Sequence, residues 1–234
     1  MTVKYVFEPE ARAAVPVVGT DALFPVHRIY CIGRNYAAHA REMGHDPDRD
    51  PPFFFLKAPD AVQPIAEGVM TNHPYPPKTA NYHHEIELVV ALHRGGRDIA
   101  VEDALSHVFG YAVGLDMTRR DLQDEAKNLR RPWDVSKSAD LSAPMGPLHP
   151  AASIGHPSHG AVSLAVNGAP RQTGDLNDMI WSVAEQIAIL SQHFELKPGD
   201  LIFTGTPEGV GAVGRGDQLE ATIAGVGTIA LTIV

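Results

Sequence analysis

His83-His84-Glu85-Ile86-Glu87-Leu88-Val89-Val90-Ala91-Leu92 changes character halfway, from polar and charged to an unbroken apolar run. A short run of this kind, rich in β-branched residues, predicts a strand buried on both faces. Side chains alternate along a strand, so Glu85 and Glu87 share one face, about 7 Å apart. Two anions entering the interior of a sheet repel each other and lose hydration, at a cost that a cation or protons must offset. A bound metal ion meets that need. The plainer reading of Glu-Ile-Glu is the solvated face of an edge strand, with no ligand at all.

A third carboxylate, Asp116, follows a second strand-like run at Val108–Leu115, where the sequence turns helical. Residues four and seven places along a helix share a face, which sets Arg120 and Gln123 beside Asp116. Asp116 read alone is an ordinary N-cap. Taken together, Glu85, Glu87 and Asp116 form an all-oxygen set. Such a set selects Mg²⁺ or Mn²⁺, with Ca²⁺ also accommodated, over Zn²⁺, and leaves coordination positions for water or a chelating ligand. His83 and His84 keep a zinc reading open, but their spacing matches no common zinc motif.

The remaining chain supplies candidate partners. Ile29-Tyr30-Cys31-Ile32-Gly33 reads as a buried strand with a structural thiol. Asn35 is placed to cap a short helix bearing His39 and Glu42, a His-x-x-Glu pair that is a surface ion pair or a general-base dyad. Residues 46–50 read as a polar loop able to close over a site. Phe53-Phe54-Phe55-Leu56-Lys57 reads as a buried strand ending in a charge, residues 64–77 as a loop, and Pro132-Trp133 as a helix break that anchors Lys137 in a loop. The charged helix after Asp116 reads otherwise as a solvated face. Asn167-Gly168 marks a hairpin turn, Ile180 to Leu190 an amphipathic helix, and residues 219–234 a closing hairpin. Gly205-Thr206-Pro207-Glu208-Gly209-Val210-Gly211 lacks the Gly-Lys-Ser/Thr ending of a nucleotide P-loop, so it does not read as a Walker-type phosphate site. A Gly-x-Ser-x-Gly nucleophile elbow is also missing.

Many short strands with Gly and Pro turns and few helices predict an α+β protein with a mixed, rolled β-structure. The 234 residues suffice for one large domain over residues 27–234, with residues 1–26 as an arm or small subdomain. A formal net charge of -9 argues against nucleic acid or an anionic membrane as partner, and makes local cations necessary for an anionic substrate. A single cysteine excludes an intrachain disulfide and fits a reducing cytoplasm. The N-terminal residues do not read as a signal peptide, and no apolar run reaches membrane-spanning length.

GRNYAAHAREMG, the EIE strand, GLDMTRRDLQDE, RPW followed by Lys137, and GDLIFTGTPEGVG, in this order along the chain, resemble the fumarylacetoacetate hydrolase family. The resemblance implies a mixed β-roll with peripheral helices, usually a homodimer, and hydrolysis of an acylpyruvate such as fumarylpyruvate. It implies Glu85, Glu87 and Asp116 as metal ligands, His39 with Glu42 as the water-activating pair, and Lys137 as a stabiliser of developing charge. Substrate contacts fall on Arg120, Gln123 and Thr206. Arg34, Lys57, Arg120 and Arg131 are the candidate cations for a far carboxylate. Oxaloacetate decarboxylation or tautomerisation, or acetylpyruvate hydrolysis, is the rival on the same site; a non-catalytic ligand-binding protein with a structural Ca²⁺ is the rival of another class.

Overall fold

The structure, a computed structural model, describes residues 3–37 and 51–234. The Ile86–Leu92 strand is buried at every position because both of its faces are covered. It pairs antiparallel with Val108–Leu115 on one side and with Leu201–Phe203 on the other. Leu201–Phe203 continues in parallel to Ile29–Gly33, which pairs with Phe53–Lys57, while Ala143–Met145 and Val62–Pro64 extend the opposite side. Leu88, Val90 and Leu92 face a second sheet, ordered Ala169–Asp175, Ala161–Val166, Gln218–Ile223, Gly227–Ile233, Met70–His73. Val89 and Ala91 face the other way, into a smaller core with Cys31, Phe203 and the residues Val15, Val17, Phe24 and Val26 of the N-terminal hairpin.

Alternation along one strand therefore feeds two cores, as the apolar run in the sequence requires. The Val183–His193 helix caps the larger core through Val183, Ile187 and Leu190, and Ser182 with Glu185 forms a reciprocal capping box at its start. These mixed sheets with few helices among the described residues are the α+β rolled β-structure expected. Among the described residues no helix is long and apolar enough to cross a membrane.

Several local expectations need correction. Residues 64–77 are not loop throughout, since Met70–His73 adds a parallel strand beside Gly227–Ile233. The short helix that Asn35 is expected to cap falls largely on residues outside those described, but Asn35 itself has partners elsewhere. Its fully buried amide donates to the carbonyls of Trp181 and Thr204 and accepts from the Trp181 amide, tying the end of one strand to two loops. Lys137 closes a short helix, Asp134–Lys137, rather than lying in a loop.

A three-stranded sheet positions the site. Tyr82–His84 lies between Thr118–Arg119 and Gly211–Val213, so the glycine-rich loop is drawn to the beginning of the glutamate strand. The Ala161–Val166 and Ala169–Asp175 hairpin turns at Asn167 and Gly168, both with positive φ. Its register shifts between Leu164 and Ala165, leaving Arg171 as an extra residue that bulges toward the loop. The loop passes so close there that a Cβ on Gly209, whose φ is +88°, would lie 2.0 Å from the Arg171 carbonyl oxygen. Gly209→Ala is therefore expected to destabilise the protein by about 1–3 kcal/mol, through overpacking and positive-φ strain. A urea titration reads this as a lower midpoint at constant slope; an unchanged midpoint would contradict the close approach.

Candidate active site

Strand register explains the carboxylate cluster. Glu87 stands opposite Gly114, and the ladder runs on past Ile86 and Leu115 so that the Asp116 amide bonds the Glu85 carbonyl at 2.9 Å. Residues opposite one another in an antiparallel pair share a face. Glu85, Glu87 and Asp116 thus converge on one side, 5%, 2% and 1% exposed, and one oxygen from each lies within 4.8 Å of the others. Oxygens around a Mg²⁺, Mn²⁺ or Ca²⁺ ion sit about 2.0–2.6 Å from it, so two of them can be at most about 5 Å apart. The cluster fits a hard divalent cation. No histidine joins it among the described residues: His83 Nε2 bonds Asn81 at 2.8 Å and His84 Nδ1 bonds Gln172 at 2.8 Å, which removes the zinc reading.

Asp116 is not an N-cap. It extends the ladder, and the helix starts only at Arg120, after Thr118–Arg119 has paired with Tyr82–His84. Arg120 and Gln123 reach the site by a different route from the one the helical spacing implied. Arg120 pairs with Glu85, donates to Gln123 Oε1 and approaches His83 Nδ1 at 3.5 Å. With its oxygen taken by Arg120, Gln123, which lines the cavity, has its NH₂ group left to offer.

Two lysines balance the acids. Lys137 Nζ donates to Glu85 Oε2 at 2.8 Å and to Asp116 Oδ2 at 2.7 Å. Burial pulls its pKa down, but the Asp116 and Glu85 charges outweigh that and hold it above the usual lysine value, so it is an ammonium. Among the described residues no lysine is in contact with Glu87, whose carboxylate accepts from the Gly205 amide at 2.8 Å. Desolvation, with the Asp116 and Glu85 charges, pushes its pKa well above the carboxylate range.

Lys57 lies beneath the site. Its side chain is fully buried, donates to the Met117 carbonyl, the Lys137 carbonyl and Ser142 Oγ, and comes 2.8 Å from Asp116 Oδ1 without hydrogen-bond geometry. It is absent from the cavity lining and sits behind the Asp116 carboxylate.

The carboxylates open into a small, polar cavity of about 50 Å³. Lys137, Arg120, Gln123 and Thr206 line it beside the acids, and Arg34, Lys127, Phe53 and Trp133 line it as well. Arg34 lies over the Phe53 ring at 5.4 Å and Lys127 over Trp133 at 5.6 Å, with the two rings edge to face at 5.4 Å. Arg131 instead lines a neighbouring, more apolar cavity. His39, Glu42 and residues 46–50 fall outside the described residues.

Sequence reasoning missed Lys127 and Gln172. Lys127 was legible as the residue seven places after Arg120 and four after Gln123 on one helical face. Gln172 showed no signal, being one polar residue in a polar hairpin.

Residues 28–234 match the family described as fumarylacetoacetate (FAA) hydrolase C-terminal. The chain is 42% identical to the fumarylpyruvate hydrolase of a Ralstonia species over 181 residues, 77% of this chain and 92% of that protein. It is 41% identical to the mitochondrial oxaloacetate tautomerase of Bos taurus over 198 residues, 85% of this chain and 87% of that protein. The crystal structure of fumarylpyruvate hydrolase from Pseudomonas aeruginosa in complex with Mn²⁺ and pyruvate superimposes with a TM-score of 0.97 at 56% identity, covering 99% of both chains. Together with the motif order and the carboxylate geometry, these likenesses make the chain a member of the fumarylacetoacetate hydrolase family.

Proposed function

We propose that the protein is a metal-dependent acylpyruvate hydrolase that cleaves the C–C bond of fumarylpyruvate to give fumarate and pyruvate. The observation that carries this reading is one cavity holding a three-carboxylate metal cluster together with side chains that donate hydrogen bonds or carry positive charge. An Mg²⁺ or Mn²⁺ ion held by Glu85, Glu87 and Asp116 would supply Lewis acidity toward a 2-oxo acid's carboxylate and keto oxygens.

The chain's own residues do the rest. Arg120 and Lys137 fix the Glu85 carboxylate, and Lys57 holds Asp116 from behind. Thr206 donates to the carboxylate of the pyruvoyl end. His39, oriented by Glu42, takes a proton from water as that water attacks the distal carbonyl carbon. The Lys137 ammonium and the Gln123 NH₂ group stabilise the oxygen on which charge develops. When the C–C bond breaks, its electrons leave on the pyruvate fragment as an enolate and the attacked carbon departs as the carboxylic acid; the proton held by His39 then passes to the enolate carbon, giving pyruvate and restoring the base.

The far end is suited to a second carboxylate. Lys57 and Arg120 are occupied elsewhere and Arg131 lines the other cavity, which leaves Arg34 and, newly, Lys127. The edge-to-face aromatic pair between them offers apolar surface to an unsaturated acyl chain. The likeness to oxaloacetate tautomerases favours enol–keto interconversion of oxaloacetate as the second reading; it needs no such far contact. We assign a homodimer in the cytoplasm from the family resemblance and the single, buried cysteine.

Glu85→Gln is expected to lower Mn²⁺ affinity at least tenfold by calorimetry and to abolish metal-dependent turnover, with an unchanged circular dichroism spectrum. Full activity of that variant without added metal would sink the assignment. Arg34→Gln and Lys127→Gln are each expected to lower kcat/KM for fumarylpyruvate by about 10- to 100-fold, the worth of a hydrogen bond to a charged group. Acetylpyruvate turnover should stay within about threefold, since that substrate lacks the far carboxylate. Equal losses on both substrates would remove these residues from the far subsite.

A further inference from the structure

Gln172 is the one fully buried residue of the Ala169–Asp175 strand, flanked by exposed Arg171 and Thr173. A buried polar side chain must have its hydrogen-bonding capacity met, and here the whole capacity is used. Its oxygen accepts from the Ile86 amide at 3.1 Å and from His84 Nδ1 at 2.8 Å. Its nitrogen donates to the Pro207 carbonyl at 2.9 Å and to Thr206 Oγ1 at 2.8 Å.

Two of these partners have fixed polarity. A backbone N–H only donates and a carbonyl oxygen only accepts, so Ile86 and Pro207 together dictate which end of the amide is oxygen. The consequences pass outward in both directions. His84 must carry its proton on Nδ1. Thr206 faces an NH₂ group that has nothing but protons to offer, so its hydroxyl accepts there. A hydroxyl has one proton, and among the described residues no acceptor receives it. Thr206 lines the cavity.

We infer that Gln172 is a positioning residue for carboxylate recognition: by holding the Thr206 hydroxyl as an acceptor on the buried side, it commits the hydroxyl proton to an anionic oxygen in the cavity. The inference rests on the reading of Thr206 as the contact to the pyruvoyl carboxylate. Gln172 touches no substrate. Its effect passes through the direction of one O–H bond.

Oxalate binding to the Mn²⁺-loaded protein, followed by calorimetry, tests this as a double-mutant cycle. Thr206→Val and Gln172→Glu are each expected to weaken oxalate by about 10- to 100-fold, the second because an introduced carboxylate draws the hydroxyl proton away from the cavity. The double variant should bind no more weakly than either single one, and Thr206→Ser should stay within about threefold of wild type. Mn²⁺ affinity should stay within about threefold throughout, which a general disturbance of the site would not allow. Where Gln172→Glu does not fold, Gln172→Met of similar shape takes its place in the cycle, with a smaller loss expected because the hydroxyl is then free to turn. Multiplicative losses in the double variant, or unweakened oxalate binding in Gln172→Glu, overturn the inference. If the wild-type Mn²⁺ protein binds neither oxalate nor pyruvate, the proposed function itself fails, and that result is visible before any variant is compared.

Discussion

Glu85, Glu87 and Asp116 bring three carboxylates within 4.8 Å of one another in an interior almost closed to water. At an effective dielectric constant of about 20, each pair of such charges repels by about 3 kcal/mol or more, so full ionisation would consume most of a typical protein's net stability of about 5–15 kcal/mol. The surrounding structure answers that repulsion. Lys137 bridges two of the acids, Arg120 binds Glu85, and Lys57 stands behind Asp116. Glu87 has the weakest support, and its pKa is driven up by burial and by its two neighbours. A divalent ion relieves that residue above all. Stability and metal affinity are thus set by the same charges, since a cluster that needed no metal would bind one poorly.

How far this was legible in the sequence depends on which forces act locally. The period-two rule puts Glu85 and Glu87 on one face whatever the rest of the chain does, and the apolar run behind them announces a strand covered twice. Asp116 was found, but through a helix that begins four residues later than the spacing suggested. What aligns Asp116 with Glu85 is strand register, a non-local quantity fixed by pairing between segments some thirty residues apart. Lys57 illustrates the same limit: a lysine ending a strand is solvent-facing by default, and only the fold reveals that its ammonium is enclosed by two carbonyls, a serine and an aspartate. Gln172 was beyond reach, because its meaning lies in a β-bulge and in the polarity of two distant backbone groups.

The described lining of the cavity shares a single logic. Apart from the three acids, the polar side chains that line it are ones with protons to donate: Gln123, Thr206, Arg34, Arg120, Lys127 and Lys137. Neutral groups that can either donate or accept have been fixed as donors by partners behind them, Gln123 by Arg120 and Thr206 by Gln172. Such prior orientation matters for rate as well as binding, since a dipole already pointing at developing charge needs no reorganisation at the moment of reaction.

The same arrangement bears on the choice between hydrolysis and tautomerisation. Both readings need an acidic cluster and donors around a 2-oxo acid, so nothing at that end of the cavity separates them. The difference lies at the end where Arg34 and Lys127 sit over a pair of aromatic rings. A protein of net charge -9 repels small dianions, and two cations lining one pocket oppose that field where a second carboxylate would arrive. A four-carbon diacid held by its keto acid end is short and already carries its second carboxylate close to the reacting centre. A seven-carbon acylpyruvate carries that charge several bonds farther out, where aromatic surface flanked by cations has something to hold. The cations at the far end therefore favour the longer substrate and, with it, cleavage of the carbon–carbon bond between the two halves.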